Sequence, residues 1–277
     1  MHEAALRRLD LKADLEQAVA DERLEVHYQP VVELHDGTVT GFEALLRWRD
    51  ADGQFVPVPE IISLAEATGL IVPIGRFVLR EACRQALEWT GSGGTQIHVA
   101  VNVSALQLEQ GSVVRDVRAA LRQSGLEPSA LVIEITESSL IDDSLSALRE
   151  LRALHKLGVR MALDDFGTGY SSLGRLRHLP FDIVKIDRSF VSKITHEREG
   201  AVVQSILEMA TAMGLEVVAE GIETQAQLLA LRARGCRLGQ GFYYSRAVPT
   251  EALESILAVG RLPIPRRRLQ ALPARGA

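Results

Sequence analysis

Short apolar runs alternate with longer stretches of helical spacing along most of the chain. Leu11, Leu15 and Val19 recur four apart among charges, which predicts a leading helix. Leu6 and Leu9 sit off that stripe, so the helix is expected to carry two apolar faces. Glu25 to Val32 reads as a strand with Gln29-Pro30 in its middle, and Asp36-Gly37 is a hairpin-type turn. The next strand opens at Thr38 or Val39 and alternates to Trp48. Phe42, Ala44, Leu46 and Trp48 share one face; Gly41, Glu43, Leu45 and Arg47 share the other. Two helices follow, Pro59 to Thr68 and Val72 to Trp89, each with a proline at or near its first turn.

The alternation then becomes regular. Strands are predicted at Ile97 to Val103, Leu131 to Thr136, Val159 to Leu163, Phe181 to Ile186, Glu216 to Ala219 and Arg237 to Phe242. Helices are predicted at Val113 to Ser124, Leu140 to Leu157, Glu197 to Met213, Thr224 to Arg234 and Pro249 to Val259. Eight strands alternating with helices make a closed α/β barrel the economical arrangement: a modified TIM (β/α)8 barrel. The turn between the first two strands is too short for a parallel crossover, so the first strand should run antiparallel to the rest. Residues 1–22 are read as an N-terminal helix or linker, 23–260 as the barrel domain, and 261–277 as a flexible basic tail.

Each strand carries a polar or ionisable residue within or at the end of its apolar run: Gln29, Glu43, Asn102, Glu134, Asp164, Lys185, Glu220 and Gln240. One such residue is ordinary in a core; eight unsatisfied ones would cost several kcal/mol each. At the C-terminal mouth of a barrel they would converge, where barrel enzymes place their chemistry. Asp164 is followed by a second acid, Asp165, and then by Phe166-Gly167-Thr168-Gly169. Two carboxylates about 4 Å apart at an effective dielectric near 20 repel by about 4 kcal/mol, so a cation between them is expected. The alternative is that one aspartate only caps the next helix.

Glu43, Glu134, Asp164, Asp165 and Glu220 against Lys185 leave four negative charges, the charge of two divalent cations. Oxygen donors, including the Asn102 amide, suit Mg²⁺ or Mn²⁺; none of the seven histidines falls at these positions, which argues against zinc. A two-metal oxygen site favours in-line attack of an activated water on a phosphoester. Lys185 would orient that water or stabilise charge on phosphorus, its alternative being a salt bridge to a carboxylate. Arg47 is placed to bind a phosphate, its alternative being a surface arginine. The glycine-rich loop either closes over the site or is an ordinary strand-to-helix turn.

Composition narrows the classes. Hydrophobic residues make up 47% of the 277 and charged residues 24%, enough for a sizeable core. A net charge of −5 gives no reason to expect a nucleic-acid polymer as partner. Cys83, on a stripe with Leu79, Ala86 and Leu87, and Cys236 read as reduced thiols. No apolar run reaches membrane-spanning length and Met1-His2-Glu3 does not begin a signal peptide, so a soluble, cytoplasmic protein with no membrane partner is expected.

Glu43-Ala44-Leu45-Leu46-Arg47 resembles the motif that names the EAL family of cyclic di-GMP phosphodiesterases. The resemblance runs from about Leu24 to Ile256. It includes Tyr28-Gln29-Pro30, Asn102-Val103-Ser104, Glu134-Ile135-Thr136-Glu137, the Asp164 to Leu173 loop, Asp182-Ile183-Val184-Lys185-Ile186-Asp187, Glu220-Gly221-Ile222-Glu223-Thr224 and Gly239-Gln240-Gly241-Phe242. It implies hydrolysis of cyclic di-GMP to linear pGpG. By the family pattern Glu43, Asn102, Glu134 and Asp164 hold one metal, and Asp164 bridges to a second that Asp165 and Glu220 complete. Lys185 serves the water, with Gln240 and Glu223 in support. Gln29, Arg47, Asp187 and Gln240 are implied substrate contacts, and Glu43, Lys185 and Glu220 the implied catalytic residues. Glu137 is implied to anchor the loop after the paired aspartates, including Phe166, Gly167, Thr168 and Gly169, which couples metal binding to homodimerisation. Ca²⁺ is expected to inhibit, since a larger, loosely coordinated ion holds the water poorly. The segment Leu6 to Ala20 resembles the linker after a sensory or GGDEF-type cyclase domain in longer members. Ala247, Ile61 and Ser63 depart from the family's usual residues, away from the implied site. Two other readings are a non-catalytic cyclic di-GMP receptor or scaffold, and a barrel hydrolase for another phosphoester.

Overall fold

A computed structural model describes residues 2–91, 97–140, 145–167 and 179–263. Helix α1 (His2–Ala20) leads to a hairpin of β1 (Glu25–Glu33) and β2 (Val39–Arg47). Gly37 turns the hairpin at φ +78°, and the Thr38 N–H donates to Asp36 Oδ1 at 2.9 Å. Helices α2 (Val58–Thr68) and α3 (Ile71–Gly91) precede β3 (His98–Asn102). Next come α4 (Ala105–Glu109), α5 (Val113–Ser124), β4 (Leu131–Thr136), α6 (Leu145–Lys156) and β5 (Arg160–Phe166). The described chain continues through β6 (Ile183–Ile186), α7 (Arg188–Val191), α8 (Glu197–Met213), β7 (Glu216–Ala219), α9 (Gln225–Ala233), β8 (Leu238–Gly239) and α10 (Thr250–Val259).

The eight strands close a barrel in chain order. β1 is antiparallel to both β2 and β8, and the other neighbouring pairs are parallel, as the short hairpin requires. Strand alternation divides the core in two. Outward residues such as Phe42, Trp48, Val101, Ile133 and Leu163 join the buried helix stripes in one large cluster. Inward residues Ala100, Val132, Ala162, Ile183, Val218 and Leu238, with Val31, form a second, smaller cluster inside the barrel. On each parallel strand the position two residues beyond an inward apolar residue lies at the mouth, and there the sequence places Asn102, Glu134, Asp164, Lys185, Glu220 and Gln240. Two residues in the other direction, His98, Arg160 and Glu216 line the floor, where Glu216 pairs with Arg160 and Arg237.

Some elements differ from expectation. β8 stops at Gly239 rather than reaching Phe242, because β7 ends at Ala219 and offers no longer ladder. Beyond it Gly241 packs onto the Ile222 backbone so closely that a Cβ would lie 2.1 Å from the Ile222 oxygen. α6 begins at Leu145; Leu140 instead ends a turn of 3₁₀ helix that starts at Glu137, and 141–144 lie outside the described residues. Leu11 and Leu15 are buried as the stripe requires, but Leu9 is 63% exposed, so no second apolar face forms there; the Leu6 side chain is outside the described set. Leu87 is also exposed, and the buried stripe of α3 runs through Leu79, Ala82, Cys83 and Ala86. Among the described residues no helix is long and apolar enough to cross a membrane.

Candidate active site at the barrel mouth

Lys185 is the centre of the mouth. It is 2% exposed, and its Nζ lies 2.7 Å from Glu134 Oε2, 2.7 Å from Glu220 Oε1, 3.4 Å from Asp164 Oδ2 and 3.6 Å from Glu43 Oε2. Burial alone would lower the pKa of this amine, but the four surrounding carboxylates hold it well above the usual lysine value. Of the two sequence alternatives for Lys185, the salt bridge is present, to several carboxylates at once.

Glu43 and Gln240 build the adjoining side. Glu43 Oε1 accepts from Asn102 Nδ2 at 2.8 Å and Oε2 accepts from Gln240 Nε2 at 2.7 Å. Burial pushes the Glu43 carboxyl up, but Lys185 and the two amide donors outweigh it and hold the group below the ordinary glutamate range. Gln240 Nε2 also donates to Glu220 Oε1 at 3.0 Å, while its Oε1 is buried without a hydrogen-bond partner among the described residues. Gln29 sits opposite Glu43 in the β1–β2 register and donates Nε2 to the Ser245 carbonyl at 3.2 Å.

The paired aspartates come together through a bulge. Neighbouring side chains on a regular strand point to opposite faces, so Asp164 and Asp165 should diverge. Between Leu163↔Val184 and Phe166↔Ile186 the β5–β6 register slips, and Asp165 adopts φ +55°. A bulge next to a site re-aims a side chain in this way. Carboxylate oxygens of Asp164, Asp165 and Glu220 consequently lie within 4.8 Å of one another.

These acids exceed what Lys185 neutralises. Burial, then Glu43, Asp164 and Glu220 acting against Lys185, raises Glu134 well above the ordinary value. Burial and the neighbouring Asp164 and Asp187 raise Asp165. Burial, then Asp164 and Glu43, takes Glu220 up to about 8. An oxygen-rich cluster with surplus negative charge and an unpartnered buried amide oxygen fits a hard divalent cation.

The remaining sequence candidates fall around this core. Asp187 caps α7, accepting from the Ser189 N–H at 3.0 Å. Glu137 is buried and accepts from the Gly167 N–H at 2.9 Å, fixing the start of the loop. Phe166 packs against the core; Thr168 and Gly169 lie outside the described residues. Glu223 is exposed, and its backbone N–H donates to Gln227 Oε1. Arg47 is half-buried at the rim. Sequence reasoning did not single out the cavity of about 520 Å³ beside Asn102, lined among others by Leu45, Ile62, Glu66, Ser104, Gln107 and Thr136. It arises between the ends of β2–β4 and helices α2 to α4, a tertiary juxtaposition with no local signature.

An eight-stranded barrel with buried acids and a lysine at its C-terminal mouth defines the class: a barrel of enzyme type with a metal-competent site. The chain belongs to the EAL domain family, whose pattern it matches over residues 12–247. It is 43% identical over 258 residues to the Pseudomonas aeruginosa cyclic di-GMP phosphodiesterase NbdA, covering 93% of this chain and 33% of that one. It is 42% identical over 259 residues to the bifunctional diguanylate cyclase/cyclic di-GMP phosphodiesterase MucR of the same organism, covering 93% and 38%. The solved PaMucR phosphodiesterase in complex with c-di-GMP superposes with a TM-score of 0.83 at 43% identity, over 87% of this chain and 98% of that one. The chain spans about a third of the length of the curated relatives it matches.

Proposed function

We propose that this chain is a metal-dependent, cyclic-guanylate-specific phosphodiesterase that hydrolyses one 3′–5′ bond of cyclic di-GMP to give linear pGpG. The observation that carries the reading is Lys185 set among Glu43, Glu134, Asp164 and Glu220, with Asp165 turned into the same space. The relatives named for this activity and the c-di-GMP complex of PaMucR support it.

Two divalent cations, Mg²⁺ or Mn²⁺, would supply water activation and neutralise charge on the phosphoryl oxygens. Glu43, Asn102, Glu134 and Asp164 would hold one, and Asp164, Asp165 and Glu220 the other. The Lys185 ammonium donates hydrogen bonds toward the attacking water and is itself kept charged by its carboxylate neighbours. Gln240 fixes Glu43 and Glu220 relative to each other through one amide nitrogen. Arg47, with Gln29 and Asp187, binds the dinucleotide at the rim, and the cavity beside Asn102 is large enough for a purine. Water adds to phosphorus as the P–O3′ bond breaks, leaving a 5′-phosphate and a free 3′-hydroxyl.

Ca²⁺ is expected to occupy the site and inhibit. A homodimer through the region after Asp165 belongs to the same reading and is supported by the Glu137–Gly167 bond at the start of that loop. Sedimentation with and without Mg²⁺ tests it, and a strict monomer in both contradicts it. An upstream sensory or GGDEF-type domain is supported by the greater length of the relatives. A cytoplasmic setting is supported by two free, buried cysteines. Glu43→Ala is expected to abolish turnover with Mg²⁺ while the chain remains folded; undiminished turnover in that variant refutes the assignment.

A further inference from the structure

Glu25 and Arg47 face each other across the β1–β2 ladder, a position where opposite charges ordinarily pair. Here they do not. Glu25 Oε1 accepts from Arg49 Nε at 3.3 Å and Oε2 accepts from His27 Nε2 at 3.1 Å. A carboxylate only accepts, so the second bond places a His27 proton on Nε2. Both oxygens are thus engaged by residues other than the cross-strand arginine.

The residues that hold Glu25 are themselves held. The Arg49 guanidinium lies 3.6 Å from the Phe55 ring centroid, and its Nη1 donates to the Gly53 carbonyl at 3.1 Å. Arg49 and Phe55 also form a backbone bridge. His27 stands edge-on to the same ring at 5.8 Å. The Asp50 carboxylate accepts from the Asp52 and Gln54 N–H groups and folds the loop back, so that Phe55 reaches the hairpin.

Arg47 has the opposite character. Its Nη1 donates to the Leu46 carbonyl at 2.8 Å, and it makes no ion pair among the described residues. It is half-buried, and burial depresses its pKa with Glu43 as the opposing influence. A partly desolvated guanidinium with no carboxylate in ion-pair contact among the described residues is arranged to receive an anion.

We propose that Glu25, His27, Arg49 and Phe55 form a positioning cluster that keeps the Glu25 carboxylate off Arg47, leaving that guanidinium for a substrate phosphate; this rests on the phosphodiester reading above. Without Arg49, Glu25 is released within reach of its cross-strand neighbour. The internal pair then competes with the phosphate for the same donors. Competition of that kind weakens binding and leaves the chemistry at Lys185 untouched.

The test is steady-state hydrolysis of cyclic di-GMP with Mg²⁺ by the wild type, Arg49→Gln, Glu25→Gln and the double variant. An exposed ion pair of ordinary strength raises KM about two- to five-fold in Arg49→Gln, with kcat unchanged. The double variant returns KM to the wild-type value, because no carboxylate remains to compete. An unchanged KM in Arg49→Gln, a fall in kcat of the same size, or a raised KM that Glu25→Gln fails to reverse overturns the proposal. Equilibrium binding of cyclic di-GMP in chelator gives the same ordering of affinities without turnover. Absence of turnover in the wild type overturns the phosphodiesterase reading alone, and the binding series then decides the cluster.

Discussion

The Asp165 N–H donates to Asp164 Oδ1 at 2.8 Å, so the bulge that swings Asp165 into the mouth also fixes the carboxylate before it. A non-glycine residue at φ +55° costs roughly 1–2 kcal/mol. That strain brings two adjacent acids to one point, where repulsion opposes them and a cation would reward them.

Asp165→Asn separates these effects. Asparagine tolerates the left-handed conformation and removes a charge whose pKa the fold raises. The variant is expected to melt within about 1 kcal/mol of the wild type, a partly exposed charge being screened. Its gain in melting temperature on adding Mn²⁺ should shrink, because Asp165 belongs to one of the two proposed cation sites. Thermal melts with and without Mn²⁺ check this; a variant that keeps the full metal shift contradicts the ligand assignment.

Lys185→Met leaves the buried acids without their ammonium. Removing one partner of a buried ion pair costs about 3–5 kcal/mol, and Lys185 has four carboxylate neighbours. Added Mg²⁺ should recover part of that stability by replacing the lost positive charge, without recovering turnover. Denaturant titrations with and without Mg²⁺, alongside an activity assay, measure both; recovered turnover would remove Lys185 from the chemistry.

At the floor, two groups lose stability toward acid, against the raised carboxyls of the mouth, which gain it. Burial, then Arg160, lowers the His98 pKa. The unfolded chain therefore binds this proton first, and stability declines as pH falls below about 6.5 toward the folded value. Burial pushes Glu216 up, but Arg160 and Arg237 hold it below its ordinary value. Its contribution is present above about pH 4.3 and is lost as pH falls through the folded pKa. His98→Gln should remove the His98 contribution from the upper window and leave the lower one. Denaturant midpoints of the wild type and His98→Gln at pH 7, 6, 5 and 4 check the sign in their difference, from which the raised Glu134 and Glu220 cancel; a wild type that gains stability relative to His98→Gln between pH 7 and 6 would contradict it.

Cys83 and Cys236 are buried, and burial pushes both thiols up to about 12. Since the thiolate is the reactive form, neither should react with a disulfide reagent in the folded protein, and both should react after denaturation. Rapid native modification of either would show that its helix or strand opens.

Most of the barrel was legible because strand and helix periods differ and because each strand repeats one arrangement, an inward apolar residue followed two positions later by a polar one. Ala162-Leu163-Asp164 and Val218-Ala219-Glu220 show it. The antiparallel start followed from the length of the hairpin turn. The convergence of Asp164 with Asp165 was not legible from period alone, because strict alternation separates neighbours and only the bulge unites them. Nor was the short β8: nothing in Arg237 to Phe242 reveals that β7 ends early, or that Gly241 must pass against Ile222. Glu25 carried no signal in the sequence beyond opening a strand, since its partners His27 and Arg49 matter only once the register with Arg47 is known.

Hydrolysis of cyclic di-GMP by this acid-and-lysine mouth is open to direct test. The most direct measurement incubates the purified chain with cyclic di-GMP in Mg²⁺, in Mn²⁺, in Ca²⁺ and in chelator, and resolves the products. Linear pGpG is expected with Mg²⁺ or Mn²⁺, with little in Ca²⁺ and none in chelator. Cyclic di-GMP that binds but stays intact with every cation, or that is cut equally well in chelator, would contradict the account.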